Sequence, residues 1–439
     1  MQEQARQIVR RLKDAGFDAR WVGGCVRDAL LGRTLKDIDI ATDATPGDVR
    51  RIFGDVKFAG ASFGVSLVHL GGHTFEVATF RRDGRYVDCR RPESVEYGTA
   101  RQDALRRDFT INAIFLDPLT NEIFDPADGQ GDIERRLIRT VREPRERFAE
   151  DALRLLRAIR FAARLDFAIE PRTWEALVEL APTIRAISPE RIRDELTMML
   201  VGEHPARAFA LLDTSGLLAL LLPEIAAMKG VEQGERYHPE GDVFVHTMLC
   251  IENVEPRTPV TCWAALLHDV GKPGTFARSA DRITFYGHDA VGARIAEGIL
   301  RRLRFSNDDI RRITAIVARH MRFMQAHDWN AATLRRFLSA ETIHEDLAIH
   351  RADCLACHGK LANWEFVSGK LREFEESHEP VLPPPLLTGN DLIGLGYRPG
   401  PLFAEILASL QEEQLNGTLT STEEARQFVA EKWPFETTS

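Results

Sequence analysis

A chain of 439 residues, 44% hydrophobic and 28% charged, has room for several buried cores and the make-up of an ordinary globular protein. No apolar run approaches the ~18 residues of a membrane span, the opening MQEQARQIVRR lacks a secretory pattern, and six scattered cysteines point to a reducing cytoplasm and not to a disulfide framework. The net charge of −9 weighs mildly against a nucleic-acid partner, but arginine crowds 81–107 and 135–164 while acid collects at 373–379 and near Glu412, so the N-terminal half can present a basic face.

Ala5, Ile8, Val9, Leu12 and Ala15 fall at helical spacing and predict an amphipathic helix over 4–15. Short strands are expected around 19–23, 36–41, 65–70 and 74–80, with turns at Gly71-Gly72 and Asp83-Gly84. An apolar segment over 111–116 then leads to Ile123-Phe124. Past about residue 145 the strand signals stop and the pattern is helical, punctuated by Ser188-Pro189, Gly202, Gly216, Pro239-Glu240-Gly241 and Pro256. A stiff proline run at 380–385 precedes a last helical segment over 390–434. The expected architecture is a small α/β head followed by a long helical body.

The densest chemistry lies in VGGCVRDALLGRTLKDIDIAT, residues 22–42. On a strand Asp37 and Asp39 share one face, Ile38 and Ile40 the other. Neighbouring carboxylates raise each other's pKa unless a cation sits between them. Oxygen ligands suit Mg²⁺, which can activate an attacking hydroxyl and stabilise a leaving pyrophosphate. A lone D-x-D is also what a solvated strand edge looks like. Here it follows Gly23-Gly24, which lets backbone approach a phosphate, and Arg27, whose fork of donors suits a triphosphate.

GGCVRDALLG…KDIDIAT resembles the head of class II tRNA nucleotidyltransferases, the CCA-adding enzymes and their bacterial poly(A) polymerase relatives. The resemblance implies an α+β protein: a polymerase-β-like head (1–140), then an all-α neck carrying a nucleotide template (141–205), body (206–379) and tail (386–439). Further motifs follow in family order. LRRDFTINAI (105–114) implies that Arg107 contacts the triphosphate while Asp108 and Asn112 shape the site. DPADGQGDIERRLIRTV (125–141) resembles the head-to-neck hinge, with Gly129 and Asp132 at the expected spacing. Glu76, in FEVATFRRDG, reads equally as a third carboxylate or as a salt-bridge residue.

In EDALRLLRAIRFAARL, Asp151, Arg154, Arg157 and Arg160 recur every three residues and form a drifting stripe on one helix face. The stripe reads either as surface ion pairs or as a base-reading template. An Asp accepts from an exocyclic amine and an Arg donates to a ring acceptor. Cytosine and adenine both present that pair of groups; uracil and guanine reverse it. Asp151 with Arg154 would thus admit CTP and ATP and refuse UTP and GTP. The resemblance assigns the template to these residues, places Gly24, Arg27, Arg107, Arg157 and Arg160 among the nucleotide-binding groups, and makes Asp37 and Asp39 the catalytic, Mg²⁺-holding pair. SPERIRDEL (188–196) resembles a neck motif in which Glu190 and Arg191 brace the template helix.

A second constellation, His246, His268, Asp269, His288, His320 and Asp353, is spread through helical sequence in the order of an HD phosphohydrolase domain. Imidazoles with carboxylates suit Mn, Ni, Co or Fe. CLACH (354–358) has the spacing of a haem attachment site, but without an export signal it reads as an incidental thiol pair, and no haem is expected.

The expected activity is template-independent CCA addition to the acceptor end of tRNA from CTP and ATP, with a secondary phosphohydrolase activity at the histidine cluster. FAGASFGVSLVHL lacks the arginine of the family's poly(A) polymerases, and RRDGRYVDCRRPESVEYGTARQDAL supplies the flexible loop that CC-only enzymes lack. A-only addition and poly(A) synthesis stay as alternatives. The rival of a different class is an HD phosphohydrolase whose head merely binds nucleotides. No membrane partner is expected, and the compartment is the cytoplasm.

Overall fold

The computed structural model describes residues 1–54, 56–58, 64–84, 95–234, 241–279 and 282–434. The chain divides into two compact units, Met1–Ala226 with Arg302–Phe305, and Ala227–Arg301 with Ser306–Ser439. RRDGRYVDCRRPESVEYGTARQDAL and FAGASFGVSLVHL lie partly outside the described residues, at 85–94 and 59–63.

The first unit opens with helix α1 (Gln2–Asp14), whose Ala5, Ile8, Val9 and Leu12 are fully buried. They pack in one core with Ile38 and with Trp21, Ile40, Val68, Phe75 and Val77 of a mixed sheet. The sheet takes β1 (Ala19–Val22), β2 (Ile40–Thr42), β3 (Lys57–Phe58), β4 (Val65–Leu70), β5 (His73–Thr79), β8 (Phe115–Leu116) and β9 (Ile123–Phe124) in the order β3-β4-β5-β2-β1-β8-β9. Strands β6 (Arg81–Asp83) and β7 (Val95–Tyr97) form a separate ribbon. Within the large sheet only β2 and β5 run parallel. Helix α2 (Gly24–Leu30) joins β1 towards β2, and α3 (Pro46–Phe53) leaves β2 through a capping box at Thr45 and Asp48. Helices α4 (Ala100–Leu105), α5 (Gly129–Glu134), α6 (Pro144–Glu150) and α7 (Leu153–Leu165) follow.

Two elements differ from their expected form. Strand β2 begins only at Ile40, so Asp37 and Asp39 stand on its approach and not within it. That approach is already extended: Val22 N donates to the Asp39 carbonyl at 3.0 Å, and Ile38 and Ile40 are buried while Asp37 and Asp39 are exposed. The alternation that separates acid from core therefore survives without the ladder. Asp151 lies in an extended break between α6 and α7 (φ −149°, ψ 105°), and its carboxylate accepts from Leu153 N at 3.1 Å at the start of α7. The arginine stripe is helical from Arg154 onward. Strand also persists past residue 145, where Ala168–Ile169 pairs in parallel with Leu137–Ile138, and Ala277–Arg278 pairs with Ile283–Thr284.

In the second unit, helices Val243–Asn253, Pro259–Leu267, Asn307–Arg319 and Ile343–Ala356 each bury an apolar face. Trp263 and the residues through Leu267 are fully buried. A separate cluster of Leu392, Ile406, Leu410 and Val429 holds the last three helices, Gly389–Gly394, Pro401–Asn416 and Thr422–Lys432, together.

One contact in the first unit needs the absence of a side chain. A Cβ on Gly129 would lie 2.2 Å from the Thr110 carbonyl oxygen and 2.8 Å from Ile114 Cγ1. Gly129→Ala is therefore expected to lower stability by ~1–3 kcal/mol, read as a lower urea midpoint with unchanged slope. An unshifted midpoint would contradict this packing.

Candidate active site and candidate metal centre

A cleft of about 370 Å³ in the first unit is lined by Gly23, Gly24, Arg27, Asp37, Asp39, Arg107, Asp108, Asn112, Arg157 and Arg160, with Asp28, Lys36, Phe161 and Arg164. Local folding explains how each group arrives. Gly23 turns the chain out of β1 at φ 76°, and a Cβ there would meet Arg107 Nη1 at 3.0 Å. Arg107 is held from behind by Asp103 at 3.2 Å. Arg27, only 2% exposed, donates to Asn112 Oδ1 at 2.6 Å. Asn112 donates in turn to Asp108 Oδ1 at 3.1 Å, and Asp108 pairs with Arg157 at 2.6 Å. Burial alone would raise the Asp108 pKa; the Arg157 charge, with bonds from Asn112 and the Phe109 N–H, holds it well below the usual carboxylate range. Arg157 and Arg160 share Glu195, at 3.6 and 2.6 Å.

The acidic wall is strained electrostatically. The parallel register Ile40↔Val77 brings Glu76 beside Asp39. Burial of its carboxyl, reinforced by the negative charges of Asp37 and Glu76 against the lesser opposing pull of Arg107, pushes the Asp39 pKa up to about 6, although the residue keeps solvent access. Asp37 and Asp39 give the cleft two hard oxygen donors of the kind a divalent cation takes, with the Glu76 charge near Asp39.

Asp151 and Arg154 do not line the cleft. Asp151 accepts both arms of the Arg191 fork, at 3.2 and 2.7 Å, and Arg154 bonds the Arg147 carbonyl at 2.7 Å and pairs with Glu150. Arg157 and Arg160 do face the cleft, with Arg27, around the ring of Phe161 at 5.4, 4.4 and 5.2 Å.

In the second unit all six residues of the histidine constellation converge. His246, His268 and Asp353 form one group, and Asp269, His288 and His320 another, with the ligand atoms of each group within 4.8 Å of one another. Nδ1 of His268, His288 and His320 lies 2.8, 2.8 and 2.7 Å from the carbonyls of Ala265, Phe285 and Val317. A ring nitrogen facing a carbonyl must carry its proton, so in the neutral rings Nε2 presents a lone pair. Yet Nε2 of His268 stands 3.3 Å from Nε2 of His246, and Nε2 of His288 stands 3.1 Å from that of His320. With His246 Nε2 also 3.0 Å from the Asp353 carboxylate, a proton or a shared cation must sit in each gap, and carbonyl-oriented imidazoles are how proteins present metal ligands.

The charges agree with that demand. Burial pushes His320 down to about 4, while His288, despite its own burial, is raised by the Asp269 carboxylate. Burial would raise Asp269 and Asp353, but His268 and Lys272 hold the first, and His246 the second, well below the usual range. Asp269 lies 3.7 Å from His246, 3.2 Å from His268 and 3.4 Å from His288, so it links the two groups. Nearby, Cys354 Sγ lies 3.7 Å from His350 Nε2, and Cys357 Sγ donates to the Asp353 carbonyl at 3.2 Å.

Residues 19–139 match the Poly A polymerase head domain, 166–229 the family described as "Probable RNA and SrmB- binding site of polymerase A", and 243–357 the HD domain. The A-adding tRNA nucleotidyltransferase of Deinococcus radiodurans is 36% identical over 438 residues, covering 95% of this chain and 96% of that one. This chain belongs to the bacterial class II tRNA nucleotidyltransferase family, with a C-terminal HD domain. The CCA-adding enzyme of Geobacillus stearothermophilus is 47% identical over 220 residues, spanning 50% of this chain and 54% of its own. The solved Bacillus stearothermophilus CCA-adding enzyme in complex with CTP is 30% identical with a TM-score of 0.75, covering 98% of this chain and 97% of that one.

Several groups at these nucleotidyltransferase and HD sites carried no sequence signal of their own. Phe161 reads as core and Glu195 as one more charge in a neck helix, yet one floors the cleft and the other anchors two of its arginines. Lys272, 5% exposed, lies 2.6 Å from Asp269 and 2.5 Å from Gln233 Oε1. Its place just after His268-Asp269 in HDVGK could have flagged it.

Because the Asp39 pKa is raised by folding, its ionisation weakens the metal-free fold as pH rises from ~4 to about 6. Asp37→Asn removes one repelling charge. The Asp39 carboxyl, followed by NMR without divalent cation, should then titrate below its wild-type value, and the metal-free protein should melt higher at pH 7.5. An unmoved titration would separate the two carboxylates.

Proposed function

We propose that this chain adds CCA to the 3′ end of tRNA from CTP and ATP. The observation that carries the reading is the full-length match to tRNA nucleotidyltransferases together with an intact acidic, arginine-walled cleft. In this reading Asp37 and Asp39, with Glu76 beside them, hold Mg²⁺, which when bound lowers the pKa of the attacking 3′-hydroxyl and offsets charge on the leaving pyrophosphate. Arg27 and Arg107 hold the triphosphate. Asn112 and Asp108 fix the directions of Arg27 and Arg157. Asp151 and Arg154 read the Watson–Crick edge once the incoming base displaces their present partners, Arg191 and Glu150. Residues 1–140 would act as head, 141–205 as neck, 206–379 as body and 386–439 as tail. We place the protein in the cytoplasm, a reading supported by the free thiols of all its described cysteines; among the described residues no helix is long and apolar enough to cross a membrane.

The Deinococcus relative is named for A addition alone, so that product is the second reading. Labelled CTP and ATP offered to tRNA lacking CCA and to tRNA lacking only A decides between them. Label from CTP entering the first substrate supports CCA addition; label from ATP entering only the second supports A addition.

At the HD centre, His246, His268, Asp269, His288, His320 and Asp353 would hold a transition metal, which when bound activates water for phosphoester hydrolysis. His268→Ala with Asp269→Ala should remove the bound metal and any phosphatase activity while nucleotide addition persists. Asp37→Ala should do the reverse. Metal analysis beside both assays checks this, and near-normal nucleotide addition by Asp37→Ala would sink the catalytic assignment.

For the template, Asp151→Ala should shrink the penalty against UTP and GTP by ~1–3 kcal/mol, a roughly ten- to hundredfold relaxation. Arg154→Ala should weaken CTP and ATP together. Four-nucleotide competition on tRNA lacking CCA measures both. A uniform loss of rate with wild-type selectivity would make the pair scaffolding.

A further inference from the structure

A basic surface beside the catalytic cleft has no part in the steps above. One cavity of about 240 Å³ in the first unit has Arg82, Arg106, Arg142, Arg147 and Glu150 on its walls. A second, of about 290 Å³, has Arg139, Arg142 and Arg172, with Glu170 as its one carboxylate. Arg142 is the charged residue common to both.

Charge accounting sets Arg142 apart. Arg82 pairs with Glu96, Arg106 with Asp103, Arg147 with Glu150, Arg139 with Asp132 and Arg172 with Glu143. Among the described residues the Arg142 guanidinium has neither an ion pair nor a hydrogen bond; the bond it is part of uses its carbonyl, which accepts from Thr140 Oγ1 at 3.5 Å. An uncompensated charge within concave, already basic walls concentrates the field on an incoming anion.

The backbone holds that charge in place. Arg142 adopts φ 66°, a left-handed conformation that a residue with a Cβ resists. Its neighbours impose it: Val141 N donates to the Asp108 carbonyl at 3.1 Å, and the buried Arg147 guanidinium donates to the carbonyls of Val141, Arg106 and Leu105 at 3.2, 3.2 and 2.9 Å. Strain maintained by so built a surround is a mark of function. Adjacent residues divide the two spaces, since Arg106 lines this cavity while Arg107 and Asp108 line the catalytic cleft.

We propose that Arg142 binds a backbone phosphodiester of the RNA strand whose 3′ end enters the catalytic cleft, an inference that rests on the tRNA-extending function above. An arginine fork suits phosphate oxygens, and such contacts position a strand without reading its sequence. The test measures equilibrium binding of tRNA lacking CCA to the full-length wild type, Arg142→Ala and Arg142→Gly across a salt series, with the CTP KM alongside. Both variants should bind tRNA several-fold more weakly, and the slope of log affinity against log salt should fall by ~0.7–1, with the CTP KM unchanged. Arg142→Gly relaxes the strained backbone and should melt no lower than wild type, so its loss of affinity reports the charge and not the fold. Wild-type tRNA affinity and slope in the variants would overturn the proposal, as would a parallel rise in the CTP KM, which would make Arg142 a triphosphate ligand. Arg142-dependent tRNA binding by a wild-type protein that extends no tRNA would overturn the activity and leave this site standing.

Discussion

The ion pair between Asp108 and Arg157 is the constraint around which the catalytic half is arranged. Asp108 lies just past α4 and Arg157 in the middle of α7, so a single 2.6 Å contact ties the head to a helix some fifty residues further along the chain. Asp108 is buried with both oxygens occupied, by Asn112, the Phe109 N–H and Arg157, while Arg157 stays partly open to the cleft with Glu195 3.6 Å away on its other side. Loss of Arg157 would strand the buried Asp108 carboxylate, and leaving a buried group without its partner costs ~1–3 kcal/mol or more. The energetic return is mainly specificity of arrangement. Arg27 bonds Asn112, Asn112 bonds Asp108, and Asp108 bonds Arg157, so the groups at the glycine turn and the groups on α7 cannot shift independently.

The histidine cluster follows a different rule. Its three carbonyl-bound rings have their tautomers fixed by backbone geometry before any ion arrives. What remains is a set of close-set imidazole nitrogens and two low-pKa carboxylates, a buried donor set that protons or a cation must hold together. Gly271 makes the convergence possible: a Cβ there would fall 2.1 Å from the His288 carbonyl, so the turn after Asp269 touches the helix that carries His288 only because no side chain intervenes.

Much of this was legible in the sequence, and for definite reasons. Gly23-Gly24, Asp37-x-Asp39 and the RRDF segment are short and local, so pattern and spacing suffice to find them. The amphipathic α1 and the strands β1, β4 and β5 declared themselves through burial periodicity. Spacing alone makes Asp151 part of a continuous helix and does not reveal that its carboxylate turns back onto Leu153 N where the next helix begins. The short parallel pair of Leu137–Ile138 with Ala168–Ile169 was missed because two residues carry no period. Phe161, Glu195 and Lys272 acquire their roles only from tertiary neighbours, and residue type by itself assigns them to core or solvent.

The ring of Phe161 has a consequence for ligand-linked behaviour. Three guanidiniums share that ring, and along the cleft wall cations outnumber carboxylates six to four. Their pairing with Asp103, Asp108 and Glu195 holds them in place and leaves only a modest positive excess facing the opening. A polyanion entering the cleft would neutralise it, so the nucleotide acts as a missing counterion as well as a substrate. At a hundred times its dissociation constant any ligand of the native state adds ~2.7 kcal/mol of stability by mass action. Wherever nucleotide stands well above its dissociation constant, the form that has to survive heat and proteolysis is the loaded one, and the bare cleft is the weaker state between turnovers.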